Sequence, residues 1–323
     1  MRVLRKRRTL ALTGAGVSTW AGYGIWSAAI GHLAQAVQER NPGVDTAAIV
    51  HNNQNPLHCA ERLGEQLGPG FGDFILKEFG PNSKRPDDVL FTLCRLPFRH
   101  FLTLNIDCSL EQIHTILKLP CVTVTTSYFG GLTKFMRVQD EDGIARHVCH
   151  FHGTYFDPID QIALTNSGYK RLYHDGSLFF RFLWWLVTSQ TLLFLGFGFT
   201  DSDFLQAIRR AAIELPGEDP VHFAVRGIGH HVNDEAIRNE SNDSYKIDPI
   251  FYEIKDPPEN PHAGFADLIR KIADELQIQQ VAIPPLSAEE MAPAPEPADV
   301  QRAKELGASL VERLDPGGDN VPH

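Results

Sequence analysis

Paired cysteines are missing from this 323-residue chain. Its five cysteines, at 59, 94, 108, 121 and 149, form no C-x-x-C pair and leave an odd total. The disulfide framework of a secreted domain needs denser, even-numbered cysteines, so a reducing cytoplasm is the expected compartment. The same positions exclude a structural zinc site of the usual paired-cysteine kind, and no metal is expected. Long apolar runs are scarce as well. The nearest, 178–195, is interrupted by Arg181 and by the polar stretch 188–191, short of the ~18 uninterrupted residues of a membrane span. Behind the basic start (Arg2, Arg5, Lys6, Arg7, Arg8) the apolar run ends at Gly14, too short for the ~7–15 residues of a signal-peptide core. Basic charge is also in short supply. Thirty Lys and Arg against forty Asp and Glu give a net charge of −10, which excludes nucleic-acid binding through bulk charge. No direct nucleic-acid or membrane contact is expected, and no internal repeat is evident.

What remains is an ordinary soluble composition, 43% hydrophobic and 22% charged, with room for one large domain or two modest ones at ~150 residues each. Residues 9–13 form a short strand that runs into Gly14-Ala15-Gly16, and Ile25, Trp26, Ala29, Ile30, Leu33 and Val37 then recur at helical spacing. Residues 44–97 hold several helical pieces and no strong strand, which marks a small helical insertion. From about residue 99 strands and helices alternate. Strands are expected at 101–104, 121–126, 147–151, 162–165, 192–195, 222–225 and 251–254. Helices are expected after Ser109, which forms a capping-box pattern with Gln112, and at 177–189, 203–213 and 263–277. Asp201 or Ser202 is placed to cap the helix at 203. Repeated strand, glycine turn and helix predict an α/β fold: a Rossmann-like, mainly parallel sheet with helices on both faces. The domain is expected over 1–280. Residues 281–323 read as a Pro/Ala-rich acidic linker and C-terminal tail, with a short helix at 299–314.

Four segments fall where an open α/β sheet presents its ligand crevice, at the carboxyl ends of strands. In Gly14-Ala15-Gly16-Val17-Ser18, glycines let backbone approach a pyrophosphate, although glycine turns after strands are common in any fold. In Thr103-Leu104-Asn105-Ile106-Asp107, an amide and a carboxylate two residues apart reach into the crevice, or simply make a turn and a helix cap. His152-Gly153 ends a strand that also carries His147 and His150. Alternation would put 150 and 152 on one face, a weak suggestion of a metal pair with no evident third ligand. A lone His followed by Gly suits a general base equally with a satisfied core histidine. The fourth segment, Gly196 to Asp203, could receive a nucleoside or make a tight turn. The Phe/Trp cluster at 179–185 reads as core or interface.

The order Gly-Ala-Gly-x-Ser, Thr-x-Asn-x-Asp, His-Gly and a late glycine-rich turn resembles the sirtuin family, over roughly residues 9–225. The resemblance is closest to the divergent sirtuin-like domains of bacterial anti-phage defence proteins, through 14–26, 164–173 and 193–203. Deacylating sirtuins carry a zinc ribbon after the His-Gly motif, whereas this chain has no cysteine after Cys149. They also continue the first motif as Gly-Ile-Pro-Asp-Phe-Arg, where this chain has Gly22-Tyr23-Gly24-Ile25-Trp26-Ser27.

The activity this resemblance implies is cleavage of NAD+ to nicotinamide and ADP-ribose, with NAD+ as substrate and no zinc. Asn105 would orient the nicotinamide ribose hydroxyls or the attacking water. His152 would act as general base, and Asp107 would hold the sugar or steady the site by its charge. Gly14, Ala15 and Gly16 would cradle the pyrophosphate with Ser18 nearby, and Gly196, Phe197 and Asp201 would line the adenosine end. Relatives of this kind imply a gated effector of anti-phage defence acting by NAD depletion. It would be a homo-oligomer or sit beside a HerA-like ATPase or an Argonaute-like partner. An NAD-dependent protein deacylase and a non-catalytic nucleotide-binding scaffold subunit stay open as alternatives.

Overall fold

The strands are short, and most of their residues are β-branched or bulky and apolar, which suits a sheet covered on both faces. They run β1 (Thr9–Thr13), β2 (Phe101–Thr103), β3 (Cys121–Thr125), β4 (Arg146–His150), β5 (Thr191–Leu195), β6 (His222–Ile228) and β7 (Ile247–Glu253). In the computed structural model they form one sheet in the order β3-β4-β2-β1-β5-β6-β7, and every neighbouring pair is parallel. The structure describes residues 9–278 apart from 53–54, 83, 127–128, 139–144, 175–176, 216, 218–220, 230–232 and 255–261. The basic start, the 281–323 tail and the helix expected at 299–314 lie outside the described residues.

Side-chain alternation divides the sheet between two cores. Leu10, Leu12, Leu102, Cys149, Leu192 and Phe194 face one, which is closed by α8 (Phe129–Val138), α9 (Asn166–Tyr173), α10 (Leu178–Ser189) and α11 (Ser202–Ile213). Ala11, Phe101, Val148, Leu193 and Leu195 face the other, closed by α1 (Ala15–Ser18), α6 (Asp88–Arg95), α7 (Ser109–Ile116) and α13 (Ala263–Glu275). The expected two-faced α/β sandwich is present. Within α10 the buried side is Phe179, Phe182, Leu183, Leu186 and Val187, while Trp184 on the other side is 43% exposed. Among the described residues no helix is long and apolar enough to cross a membrane.

A third core belongs to a helical module built from α2 (Trp26–Arg40), α3 (Thr46–Asn52), α4 (Pro56–Leu67) and α5 (Gly70–Phe79). The packing draws this module differently from the insertion expected at 44–97. It takes in the earlier helix at 26–40, while Val89, Leu90 and Leu93 of α6 pack beneath the sheet instead. Three residues from outside, Ile106, Ile162 and Leu164, are buried in the same core, and through Ile106 the module grips the chain where it leaves β2.

Several local expectations change. Residues 162–165 are not a strand. Ile162 and Leu164 enter the helical module while Ala163 enters a sheet core, and the Ala163 N–H donates to the His152 carbonyl at 2.9 Å. The alternation there serves two cores and no ladder. The last strand begins at 247, earlier than expected, and includes Pro249, which fits an edge strand because the missing N–H is not needed there. The polar helix α12 (Asp234–Tyr245) has no strong apolar stripe and was not expected. Ser109 does not cap its helix. The N-cap is Cys108, which makes no side-chain cap bond, and Asp107 just before it accepts the Ser109 N–H through Oδ1 at 3.1 Å.

Candidate functional site

Strand register places the four segments side by side. β1 sits in the middle of the sheet, and the chain returns as β2 on one side of it and as β5 on the other. In open α/β sheets such a reversal, at the carboxyl ends of the strands, is where ligands bind. Thr13 pairs with Thr103 and Leu195, and Thr103 pairs with His150. Asn105 and His152 therefore each lie two residues beyond paired positions on adjacent strands. Gly14 and Gly196 lie one residue beyond theirs.

The first and fourth segments touch backbone to backbone. Gly14 N–H donates to Leu195 O and Gly16 N–H to Gly196 O, both at 3.0 Å. A Cβ on Gly14 would stand 2.7 Å from Gly196 O, and Gly196 itself has φ +59°. The glycines thus serve the close approach of two loops. Since the amides of Gly14 and Gly16 are spent on that contact, they are not donors for a pyrophosphate; Ala15 N–H keeps no partner among the described residues. Phe197 packs with Phe194, Phe199 and Phe204.

Asn105 is held from two directions. Thr103 Oγ1 donates to Thr13 O and accepts the Asn105 N–H at 3.0 Å, which fixes the turn out of β2. The side-chain Nδ2 donates to Gly14 O at 2.9 Å and to Ser18 Oγ at 2.7 Å. Ser18 in turn donates to Asp107 Oδ2 at 2.6 Å. Both amide hydrogens are committed, while the half-buried Asn105 Oδ1 takes no hydrogen bond from the described residues. Asp107 is 5% exposed and spends one oxygen on Ser18 and the other on the Ser109 N–H. With both oxygens engaged it faces Ser18 and, through it, Asn105; of the two expected roles, holding the sugar or steadying the site by its charge, this placement suits the second.

His152 is 5% exposed and sits against α9, because Tyr169 and Tyr173 lie on one face of that helix at i and i+4. Tyr173 Oη is 2.8 Å from Nε2, and Tyr169 Oη is 3.4 Å from Nδ1. Burial lowers the imidazole pKa to about 4, against the opposing pull of the Asp201 charge and the Leu104 carbonyl, so the ring is neutral at physiological pH. Asp201 caps α11 as expected, with Oδ1 accepting the Phe204 N–H at 3.0 Å, and Oδ2 accepts the Tyr169 hydroxyl at 2.8 Å. Asn105 and His152 share neighbouring strand exits but no hydrogen bond with each other.

The other two histidines of the strand go elsewhere. His147 is buried against His100 and Phe135. His150 donates through Nδ1 to Asn105 O (2.8 Å) and through Nε2 to Glu111 Oε1 (2.7 Å). Burial alone would lower its pKa, but the Glu111 charge and hydrogen bond outweigh that and raise it. The strand ends at His150, so alternation does not carry 150 and 152 to one face, and the suggested metal pair does not form. Among the described residues one trio, Cys108, Glu111 and His150, brings potential ligand atoms within 4.8 Å of one another. Here the His150–Glu111 hydrogen bond occupies that space. Burial pushes the Cys108 thiol well above its ordinary range, which removes it as a nucleophile.

Sequence reasoning missed Tyr169, Tyr173 and Ile106. The first two lie inside the stretch 164–173, where no helix was expected, and their i, i+4 spacing was the available signal.

Comparison with known proteins agrees with this geometry. The chain is 25% identical over 255 residues to the NAD(+) hydrolase ThsA of Acinetobacter baumannii (strain 532279), a match that covers 78% of this chain and 48% of that protein. The chain thus spans about half the length of the curated relative it matches. Residues 99–250, which run from β2 into β7 and contain Asn105, His152 and Gly196, match the SIR2-like domain family. The all-parallel sheet with four motifs at adjacent strand exits thus contains a stretch, residues 99–250, that is similar to the SIR2-like domain family.

Proposed function

We propose that the protein hydrolyses NAD+ at the bond between nicotinamide and ribose, releasing nicotinamide and ADP-ribose. One observation carries the reading: an amide at the switch point of a parallel sheet whose two hydrogens are fixed by Gly14 and Ser18 and whose oxygen takes no hydrogen bond from the described residues. The 25% identity to an NAD(+) hydrolase supports the same reaction.

Loss of the cationic nicotinamide develops positive charge on the ribose. An enzyme accelerates that step by interactions that strengthen as the charge appears. Asn105 Oδ1, pre-oriented, accepts a hydrogen bond from a ribose hydroxyl or from the attacking water. His152, neutral and buried, takes the proton that the hydroxyl or water releases. Asp107 acts through Ser18, keeping the amide in its rotamer. The adenosine half lies toward the Gly196 turn. Because an unrestrained NAD hydrolase would empty the cell of NAD, the activity is gated, in an oligomer or by a defence partner.

The test is nicotinamide release by purified protein, alone and with the products of neighbouring genes. Asn105→Ala and His152→Ala each lower turnover by ~10²–10⁴-fold, the range of a lost general base or its equivalent. Full turnover in both variants overturns the assignment of roles. NAD binding in calorimetry with no nicotinamide release under any condition leaves a scaffold, and release that depends on an acetylated peptide identifies a deacylase.

A further inference from the structure

His152 stands at the centre of a chain of four polar groups whose directions are dictated from one end. A carboxylate oxygen only accepts, so the 2.8 Å contact between Asp201 Oδ2 and Tyr169 Oη is filled by the tyrosine's hydrogen. The Tyr169 oxygen is left with lone pairs, and one of them faces His152 Nδ1 at 3.4 Å. That arrangement calls for the hydrogen of the neutral ring on Nδ1. Nε2 then keeps its lone pair and receives the Tyr173 hydroxyl at 2.8 Å. All four groups are inside the protein or at its half-buried edge: His152 is 5% and Tyr169 9% exposed.

We infer that Asp201 and Tyr169 are positioning residues that fix the tautomer of His152, with Asp201 acting on the imidazole through Tyr169. The inference rests on His152 being the base of the proposed hydrolysis. The basic nitrogen is held by Tyr173 until a substrate hydroxyl or water takes over that hydrogen bond. When the hydroxyl is deprotonated, its proton moves to Nε2, the oxygen keeps the electron pair, and the imidazolium that forms directs its Nδ1–H along Tyr169 toward the Asp201 charge. Asp201 is also the N-cap of α11, so one residue on the β5 exit holds both a helix end and the base on the β4 exit.

Nitrogen-15 NMR of protein labelled in its histidines reads the tautomer directly, with His152→Gln used to assign the signals. The wild type shows a pyrrole-type Nδ1 and a pyridine-type Nε2. Tyr169→Phe removes the acceptor at Nδ1 with almost no change of shape, and the ring becomes a mixture of tautomers. Asp201→Asn preserves the helix cap but places an N–H donor against Tyr169, which turns the tyrosine hydrogen toward Nδ1 and moves the imidazole hydrogen to Nε2. In the same variants kcat for NAD cleavage falls at least tenfold while KM changes little. A tautomer that responds as described in a protein without NAD cleavage upholds the network and overturns only the functional reading. Unchanged Nδ1–H signals in both variants overturn the inference and leave the Leu104 carbonyl as the group that orients the ring.

Discussion

Ser18 offers one hydroxyl and uses it twice, accepting from Asn105 and donating to Asp107. Ser18 and Asp107 are both buried, so the carboxylate has no water to fall back on. Removing the hydroxyl leaves the Asp107 oxygen short of a donor in a desolvated place, a cost of ~1–3 kcal/mol. Ser18→Ala accordingly lowers the denaturation midpoint. It also frees one Asn105 hydrogen, so turnover falls by roughly tenfold as the amide samples other rotamers. Denaturant titration and nicotinamide release measure the two effects on one preparation. Unchanged stability would show that the three side chains do not act as a unit. The sequence displayed Asn105, Asp107 and Ser18 as candidates because each sits just past a strand. It did not display that the carboxylate points at the hydroxyl, since that depends on the fold bringing two distant turns together.

At the scale of elements, two turns carry the crevice, and both are constrained. The β5 exit bends at Gly196 with φ +59°, and a Cβ there would stand 2.6 Å from the Val17 nitrogen. An L-residue in that conformation costs ~1–2 kcal/mol before any clash is counted. Gly196→Ala therefore destabilises the protein by more than ~1 kcal/mol and pushes the first turn away from the fourth, with a visible drop in melting temperature. A variant that melts with the wild type would mean that the two loops separate freely. The β2 exit is anchored differently, by Ile106, 4% exposed within the helical module. Strand and glycine signals made these exits visible in the sequence. The anchor was invisible, because an isoleucine between Asn and Asp carries no periodic pattern. The same reason explains why 162–165 read as a strand: its alternation is real, but the two faces belong to different cores.

For the molecule as a whole, buried histidines couple folding to pH. In an unfolded chain they titrate near 6.5. Burial lowers His152 and His222 to about 4 and shifts His114 and His147 in the same direction. Between those limits the unfolded state binds more protons than the folded one, so stability declines as pH falls from about 6.5 toward 4. His150 is raised and works the other way, its contribution being full at low pH and lost as pH rises through its folded value. Four groups against one set the sign. The melting temperature falls between pH 6.5 and 5, and less steeply in His152→Gln; a flat or rising profile would contradict the burial of these rings. The parallel sheet and its two layers were readable from alternation and glycine turns. The extent of the helical module was not, because amphipathic helices declare an apolar face without declaring which core receives it.

The placement of β1 has a consequence for how the chain is made. β1 precedes both of its neighbours in the sheet, β2 and β5, and β5 follows only at Thr191–Leu195. Until the ribosome has delivered β5, one edge of β1 is unpaired and the Gly14 turn has no opposite wall. A nascent or prematurely terminated product that lacks β5 therefore lacks half of the proposed site, which is complete only when the central strand is enclosed on both sides.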